Sequence, residues 1–484
     1  MRTLLALTLF TAVSTATAAP FEKSGISDWT AVPPPAAEPT FVPPTAVRSK
    51  LANGMALLVV ENHKLPIISM SLLVPSAGTA YDPQQKPGIA AFTADILDEG
   101  AGGMSAIQIA SEQDRLGATI KIGAGIDAAY VGVSTLTKTL DATLDLVTKI
   151  LTAPTFDAKD FERLQGDRAT SLDLRRDRPR EVANILLGAG LYGLDSAYGH
   201  PGSGMRESFK SITLADLQSF YTSHWNPAGM TLVVVGDVDA KQLAAKLDKG
   251  LGAWKPAGQK IATPVTAALK THKSRLLLAD RAAAAQSDIR IGIVGLDRKD
   301  PRFFAFEVLT TTMGGGFTSR LMQRLREQLG ITYTIHAGED WRIAPGPFTI
   351  ATAIQTPATA QGLRETLKIV DDLTTNDIPA AELEKSKQNL IRALPAQFET
   401  NAGVAGSFAE LALHGLPDDW YAHYAEGIRK VTAADAKAVA KAVVPSSRLV
   451  FAIVGDMSKV RAEIDKLQLG PAEIHDLYGL PVTK

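Results

Sequence analysis

The residues best placed to do chemistry lie in a short stretch that begins with the glycine run 314–316. Met322 to Leu329 has the apolar spacing of a helix, and Gly330 suits the left-handed position that ends one. Arg326 falls at the edge of the apolar stripe, and Tyr333 falls just beyond the helix end, at the start of a strand. The two side chains can therefore converge on one spot. Local chemistry alone favours a structural role, in which Arg326 complements the helix dipole and Tyr333 is half-buried.

The residues around this helix carry further expectations. Thr318 or Ser319 is predicted to cap its N-terminus, and Arg320 and Arg324 are predicted to point to solvent. The glycines at 314–316 let a peptide backbone approach closely, or they simply make a tight turn. The stretch is not a phosphate-binding loop, because no lysine follows the glycines at the required position.

The elements that must position these residues alternate between strand and helix. Met55 to Val60 and Ile67 to Val74 are strand-like, and a helical pattern starts at Pro87. A further strand, Tyr130 to Leu136, leads into the helix Leu140 to Leu151. This order predicts an α+β fold, with a mixed sheet covered by helices on one face.

The chain also contains an internal repeat. Two β-branched runs end in Val-Gly-Asp, with their glycines at Gly236 and Gly455. Each run is preceded by a helix, Leu214 to His224 in the first case and Ala433 to Val443 in the second. An amphipathic helix follows each run as well. A match in strand, turn and both flanking helices predicts two homologous lobes.

The N-terminus is typical of an exported protein. A short basic start is followed by the apolar run Leu4 to Val13 and by small residues up to Ala18, where cleavage is predicted. The run is too short to span a bilayer, so the protein is expected to be periplasmic or secreted. The predicted domains are a signal peptide (1–18), a proline-rich exposed arm (19–48), a first lobe (49–254), a linker (255–273) and a second lobe (274–484).

The composition excludes several classes of function. The 484 residues include 50 basic and 51 acidic side chains, which gives no basic patch for nucleic acid. No cysteine is present, so thiolate metal sites and a cysteine nucleophile are excluded. We therefore expect neither a nucleic-acid partner nor a membrane span.

Two segments resemble a known family, the M16 (pitrilysin-like) metallopeptidases. Gly88 to Leu97 resembles the zinc helix of that family, and Met313 to Leu321 with Gly330 to Tyr333 resembles the glycine-rich turn and the arginine/tyrosine pair of its C-terminal lobe. The resemblance runs from about Leu51 to Leu467. It implies two lobes of the fold shared with LuxS and the mitochondrial processing peptidase.

The resemblance also implies that the zinc site is lost. The family motif H-x-x-E-H supplies two histidine ligands and a glutamate that activates water. Here those positions hold Ala91, Ala94 and Asp95, and the third ligand position falls near Thr170 or Ser171. The chain then resembles a zinc-free subunit of the subfamily B type, which binds no cofactor itself.

In such split enzymes, zinc belongs to a partner subunit that carries H-x-x-E-H. The resemblance implies that Arg326 and Tyr333, spaced by seven residues, hydrogen-bond the scissile carbonyl in that partner's site as negative charge develops. Unfolded peptides are the implied substrates, bound by adding a strand to a sheet edge such as Ala118 to Gly123. The implied peptide-binding residues are Gly314, Gly315, Gly316 and Phe317.

Three alternatives stay open. M16-like chains without zinc also serve as non-catalytic scaffold or interaction subunits, which would not need the Arg326/Tyr333 pair. Asp95 and Glu99 could hold a harder cation, although two carboxylates supply few oxygens. A separate hydrolase would need a nucleophile such as Ser203 or Ser319, yet no Gly-x-Ser-x-Gly elbow is present.

Overall fold

A computed structural model describes residues 41–255 and 273–482. The predicted signal peptide, most of the predicted arm and nearly all of the predicted linker lie outside these ranges. The first lobe contains the following strands and helices: β1 (Val47–Lys50), β2 (Ala56–Glu61), β3 (Ile67–Val74), α1 (Ile89–Ile96), β4 (Gly100–Ala101), β5 (Met104–Ser105), α2 (Ala106–Leu116), β6 (Thr119–Ala124), β7 (Ala129–Leu136), α3 (Leu140–Thr152), α4 (Ala158–Asp173), α5 (Pro179–Tyr192), α6 (Arg206–Phe209), α7 (Leu214–His224), β8 (Thr231–Gly236) and α8 (Ala240–Lys249).

The second lobe repeats this alternation. It contains β9 (Arg275–Asp280), β10 (Gln286–Val294), α9 (Phe303–Gly314), a π-helix (Met322–Gln328), β11 (Thr332–Glu339), β12 (Pro347–Gln355), α10 (Thr359–Thr375), α11 (Ala380–Ala393), α12 (Asn401–His414), α13 (Trp420–Lys430), α14 (Ala433–Val443), β13 (Val450–Gly455), α15 (Met457–Asp465) and β14 (Ala472–His475).

The two lobes share one sheet topology. The first sheet runs β1-β2-β8-β3-β7-β6, and the second runs β14-β9-β13-β10-β12-β11. In both, a parallel pair (β2 with β8, β9 with β13) is followed by antiparallel neighbours out to the far edge. The outermost strand differs, since β1 is antiparallel to β2 whereas β14 is parallel to β9. The prediction of two homologous α+β lobes is confirmed.

The repeat extends to the helix caps. Thr213 forms a reciprocal capping box with Asp216 at the start of α7, and Thr432 forms the same box with Asp435 at the start of α14. A threonine hydroxyl and a carboxylate three residues later satisfy two free backbone N–H groups at a helix start. Both helices therefore begin at equivalent places in the repeat and have equal lengths.

The second face of each sheet receives a helix from the other lobe. α5 of the first lobe packs on β10 and β13, and α12 of the second lobe packs on β3 and β8. Leu186, which is fully buried in α5, belongs to an apolar cluster with Val450 and Ala452 of β13. This exchange goes beyond the predicted layout, in which helices cover one face only.

The described chain begins within the predicted exposed arm, and all four side chains of β1 are exposed although its backbone is paired. Val47–Lys50 forms β1, and the Phe41 ring lies 5.1 Å from the Phe398 ring, between centroids. Arg48 donates two hydrogen bonds to Asp418, at 3.0 Å from Nε and 2.5 Å from Nη2. Residues 41–50 thus join the first sheet to the second lobe.

Candidate functional site

The glycine run closes helix α9 against the edge strand β11. A Cβ atom on Gly314 would lie 2.6 Å from Ala337 of β11, and one on Gly315 would lie 2.7 Å from the Thr311 Cα atom. Both distances are shorter than real contacts, so these two positions need glycine for packing. A Cβ on Gly316 would meet open space. Phe317, which follows it, is 70% exposed.

The segment after this turn is a π-helix, where an ordinary α-helix was expected. Its C-terminal end is closed by a bond of π-helix spacing, from the Leu329 backbone N–H to the Arg324 carbonyl at 3.1 Å. The predicted cap is wrong, because among the residues that the structure describes no side chain caps the helix and the buried Ser319 hydroxyl has no hydrogen-bond partner. Gly330 does adopt the left-handed conformation, with φ 63°. π-helical turns are rare and often occur at functional sites.

The π-helix and β11 bring three side chains together, which we call the aromatic–arginine cluster: Phe317, Arg326 and Tyr333. The Arg326 guanidinium carbon lies 5.0 Å from the centroid of each ring, over the ring faces. The predicted convergence of Arg326 and Tyr333 is therefore observed. Tyr333 is 79% exposed, so the alternative of a half-buried strand residue does not describe it.

The other two arginines of this segment are taken up by carboxylates. Arg320 forms ion pairs with Glu382 and Asp372, at 2.8 and 2.5 Å, and its side chain is largely buried. The expectation that Arg320 points to solvent is wrong, because α10 and α11 supply acidic partners. Arg324 pairs with Glu365 at 2.8 Å. Among the described residues, Arg326 has a single charged contact, from Nε to Glu327 at 3.3 Å, without hydrogen-bond geometry.

The positions that the resemblance aligns with the zinc motif lie on α1, and an arginine lies beside them. Ala94 is buried, Ala91 is partly buried and Asp95 is exposed. Arg168 of α4 forms an ion pair with Asp95. Its guanidinium carbon lies 5.5 Å from the Phe92 ring and 5.7 Å from the Phe209 ring.

This environment does not fit a zinc ion. Two alanines offer no ligand, and the one carboxylate already faces a cation. Asp95 and Glu99 do not fit a site for a harder cation either, since Glu99 forms an ion pair with Arg163. Across 41–255 and 273–482, no group of three or more His, Cys, Asp or Glu side chains is arranged to hold a metal.

A second carboxylate, that of Asp82, is hydrogen-bonded at the start of α1. Asp82 accepts hydrogen bonds from the Gly88 and Ala90 backbone N–H groups, at 2.5 and 2.9 Å. Burial raises the pKa of Asp82 to about 7, against the opposing effects of those two bonds and of Arg168. Arg168 thus interacts electrostatically with the carboxylates of both Asp82 and Asp95.

We expect Arg168→Ala to lower the free energy of unfolding by about 1–3 kcal/mol, because it removes two cation–π contacts and a charged hydrogen bond. Arg163→Ala is the matched control, since that arginine lies on the same helix but is half exposed, and its loss should matter much less. Urea denaturation of both variants measures the difference. Equal losses would show that Arg168 acts as an ordinary surface charge.

In the described ranges, the two candidate nucleophiles, Ser203 and Ser319, are not hydrogen-bonded to a general base. Ser203 accepts a hydrogen bond from Arg175 at 2.7 Å, and an arginine cannot act as its general base. Ser319 is buried without a hydrogen-bond partner among the described residues. In the described part of the chain, neither serine is hydrogen-bonded to a base of the kind that nucleophilic catalysis needs.

The edge strands of the two sheets are equivalent in the repeat. β6, which contains nearly all of the predicted edge Ala118 to Gly123, ends the first sheet, and β11 ends the second. An edge strand has unpaired backbone groups that can take up another chain. Tyr333 lies at the start of β11, so the aromatic–arginine cluster borders such an edge.

The segment after β11 is bonded to the first lobe. Asp127 accepts a hydrogen bond from the Ile343 backbone N–H at 2.8 Å and from the Tyr198 hydroxyl at 2.6 Å. The Tyr198 oxygen in turn accepts one from the Ala344 backbone N–H at 3.1 Å. These bonds hold the C-terminal end of β11 in place relative to the first lobe.

Glu339, at that end of β11, makes stability depend on pH. Burial, reinforced by Asp340 and Glu307, raises the pKa of Glu339 to about 9. The folded protein therefore holds a proton that the unfolded chain releases at its ordinary pKa of 4.5. The stabilising contribution is fully present below that pKa and is lost as the pH rises through about 9.

Because the folded protein holds one more proton than the unfolded chain, its free energy of unfolding should fall by up to about 1.4 kcal/mol per pH unit between about pH 6 and about pH 9. We expect Glu339→Gln to make this fall less steep. Urea denaturation at several pH values checks this, with the exposed Glu399→Gln as control. An unchanged slope in Glu339→Gln would contradict the expectation.

Among the helices of the described ranges, none combines the length and apolar character that crossing a bilayer requires.

The fold and the site define a class: a two-lobed α+β protein whose lobes share one sheet topology, with an exposed arginine/tyrosine pair on the second lobe. Sequence profiles agree. Residues 57–183 match the family described as insulinase (peptidase family M16), and residues 211–390 match the peptidase M16 inactive domain. The chain belongs to peptidase family M16, and the resemblance inferred from its sequence is confirmed.

Relatives and solved structures give the same result. An uncharacterized zinc protease of Mycobacterium tuberculosis (strain H37Rv) is 26% identical, over 86% of this chain and 94% of its own length. The non-peptidase homolog YmxG of Helicobacter pylori is 22% identical, over 82% and 91%. The crystal structure of a peptidase M16 inactive domain from Pseudomonas fluorescens has a TM-score of 0.79 and 25% identity, and it covers 85% of this chain and 98% of its own.

A protease structure from Helicobacter pylori, at 18% identity and a TM-score of 0.80, shares the fold over 86% of this chain. The second family model and the Pseudomonas fluorescens structure are both described as the peptidase M16 inactive domain, and the Helicobacter pylori relative is named a non-peptidase homolog.

Proposed function

We propose that this chain is the zinc-free subunit of a heterodimeric M16 metallopeptidase that acts in the periplasm or outside the cell. Its partner would be an M16 subunit with an intact H-x-x-E-H motif, which holds the zinc. The chain would contribute Arg326 and Tyr333 to that site and help to enclose unfolded peptides. Export rests on the N-terminal signal sequence, which lies outside the described residues.

The observation that carries this proposal is the exposed aromatic–arginine cluster. Tyrosine and arginine side chains are enriched where proteins bind a partner, and here both are grouped with an exposed phenylalanine. A guanidinium and a phenol hydroxyl are both hydrogen-bond donors, and donors aimed at a carbonyl oxygen stabilise the negative charge that develops there during hydrolysis. Within the described ranges, no group of three or more His, Cys, Asp or Glu side chains could hold a metal ion, so the proposal assigns the zinc to a second subunit.

The test is cleavage of a fluorogenic peptide in the presence of zinc. The assay compares this chain alone, an H-x-x-E-H-containing M16 protein from the same organism alone, and the two mixed. Activity in the mixture that exceeds the partner alone is expected. Chelator-sensitive activity from this chain alone would overturn the proposal, because it would require a metal site within the chain.

A scaffold role is the second candidate, favoured by the non-peptidase relative of Helicobacter pylori. In that case, the chain would bind its partner without changing the rate of cleavage. A mixture no faster than the partner alone, together with a stable complex by gel filtration, would select this role.

A further inference from the structure

The Arg326 guanidinium is held in place with its Nη groups free, which sets it apart from its neighbours; its charged contact is from Nε to Glu327 at 3.3 Å, without hydrogen-bond geometry. Phe317 and Tyr333 lie within cation–π distance of it, at 5.0 Å from each ring centroid. Arg320 and Arg324 instead form ion pairs with carboxylates of α10 and α11. Within the described part of the chain, the Nη groups of Arg326 have no hydrogen-bond partner.

The turn before the π-helix is itself fixed. The Gln323 side chain donates a hydrogen bond to the Phe317 carbonyl at 3.0 Å, and Gly314 and Gly315 pack α9 tightly ahead of it. Phe317 therefore stays beside Arg326 although its ring is exposed. The result is a positive charge with free donors, flanked by two apolar ring surfaces.

We infer that the aromatic–arginine cluster binds the α-carboxylate of a peptide whose last side chain is apolar. A guanidinium presents a planar fork of donors that matches a carboxylate with two parallel hydrogen bonds, whereas a neutral amide carbonyl offers one acceptor atom. The exposed rings offer contact area to an apolar C-terminal side chain. The cluster thus matches a chain end better than the middle of a chain.

This inference rests on the proposed function, which it extends to the product. In peptide hydrolysis, the oxygen of water adds to the scissile carbonyl carbon and the carbon–nitrogen bond breaks. The N-side fragment leaves as a carboxylate, and both protons of the water end on the nitrogen of the C-side fragment, which becomes an ammonium. The group that faces Arg326 during the reaction thereby becomes its best ligand afterwards, so the N-side product should be retained and should inhibit.

The experiment measures binding to the full chain without a partner. Two fluorescein-labelled peptides ending in leucine are compared by fluorescence anisotropy, one with a free C-terminal acid and one with a C-terminal amide. We expect the acid to bind at least about 10-fold more tightly, as a charge-assisted bidentate pair predicts. Arg326→Lys should remove most of this preference, because a lysine is a point charge without the fork.

Arg324→Ala is the matched control, since it removes an arginine from the same helix whose charge is already paired. It should keep the preference for the acid. Equal affinity of the wild-type chain for acid and amide would overturn the inference, and so would a preference that persists in Arg326→Lys. Neither outcome depends on cleavage: a mixture that cleaves peptide while acid and amide bind equally refutes the product site alone and leaves the proposed function standing.

Discussion

If the proposed two-subunit enzyme forms, Arg326→Ala is expected to lower its kcat/KM by about 100- to 1,000-fold, the usual cost of removing one donor to a developing oxyanion. The loss should lie mainly in kcat, because the donor acts on charge that forms only in the transition state. Steady-state kinetics on a fluorogenic peptide, with the partner subunit in excess, provide the measurement. A loss confined to KM would indicate that Arg326 only helps to bind substrate.

Two further variants separate the chemistry from the packing. Tyr333→Phe keeps the ring beside Arg326 and removes only the hydroxyl, so it tests donation to the carbonyl. Arg324→Ala removes a neighbouring arginine that is paired with Glu365, and it should leave kcat nearly unchanged. If Arg324→Ala costs as much as Arg326→Ala, the effect comes from disturbing the π-helix and not from the cluster.

Leu186→Ala is expected to lower the free energy of unfolding by about 2–5 kcal/mol, because it opens a cavity where α5 meets the sheet of the second lobe. Leu186 is fully buried there, in a cluster with Val450 and Ala452. Urea unfolding followed by tryptophan fluorescence and by far-UV circular dichroism measures the change.

Leu174→Ala provides the control, since that leucine lies just before α5 and is 47% exposed. It should change stability by much less. A Leu186→Ala loss no larger than that of Leu174→Ala would mean that the exchanged helix contributes little to the fold.

Much of the architecture was predictable because its signals are local. Runs of β-branched residues indicated where the strands lie. The Val-Gly-Asp repeat around Gly236 and Gly455 indicated that two strands occupy equivalent positions in two lobes. The exchange of helices was missed, although one signal for it was present. Val233 to Val235 is apolar without alternation, and such a run indicates a strand buried on both faces.

The missed features of the site depend on contacts between distant parts of the chain. Arg168 and Asp95 are 73 residues apart, and Arg320 and Glu382 are 62 apart, so no spacing rule links them. The π-helix was missed because its apolar pattern, with Leu321, Met322 and Leu325 buried, also suits an α-helix. The meeting of Arg326 and Tyr333 was predicted because both lie within one helix–turn–strand unit.

The reciprocal placement of α5 and α12 bears on the origin of the chain. A single half-length polypeptide of this topology would leave one face of its sheet bare, and a second copy could cover it by supplying the same helix in return. Such an arrangement is self-complementary, with identical patches meeting across a two-fold axis. The present chain corresponds to that symmetric dimer joined end to end. Once joined, the halves were free to diverge, and the second half now carries the aromatic–arginine cluster.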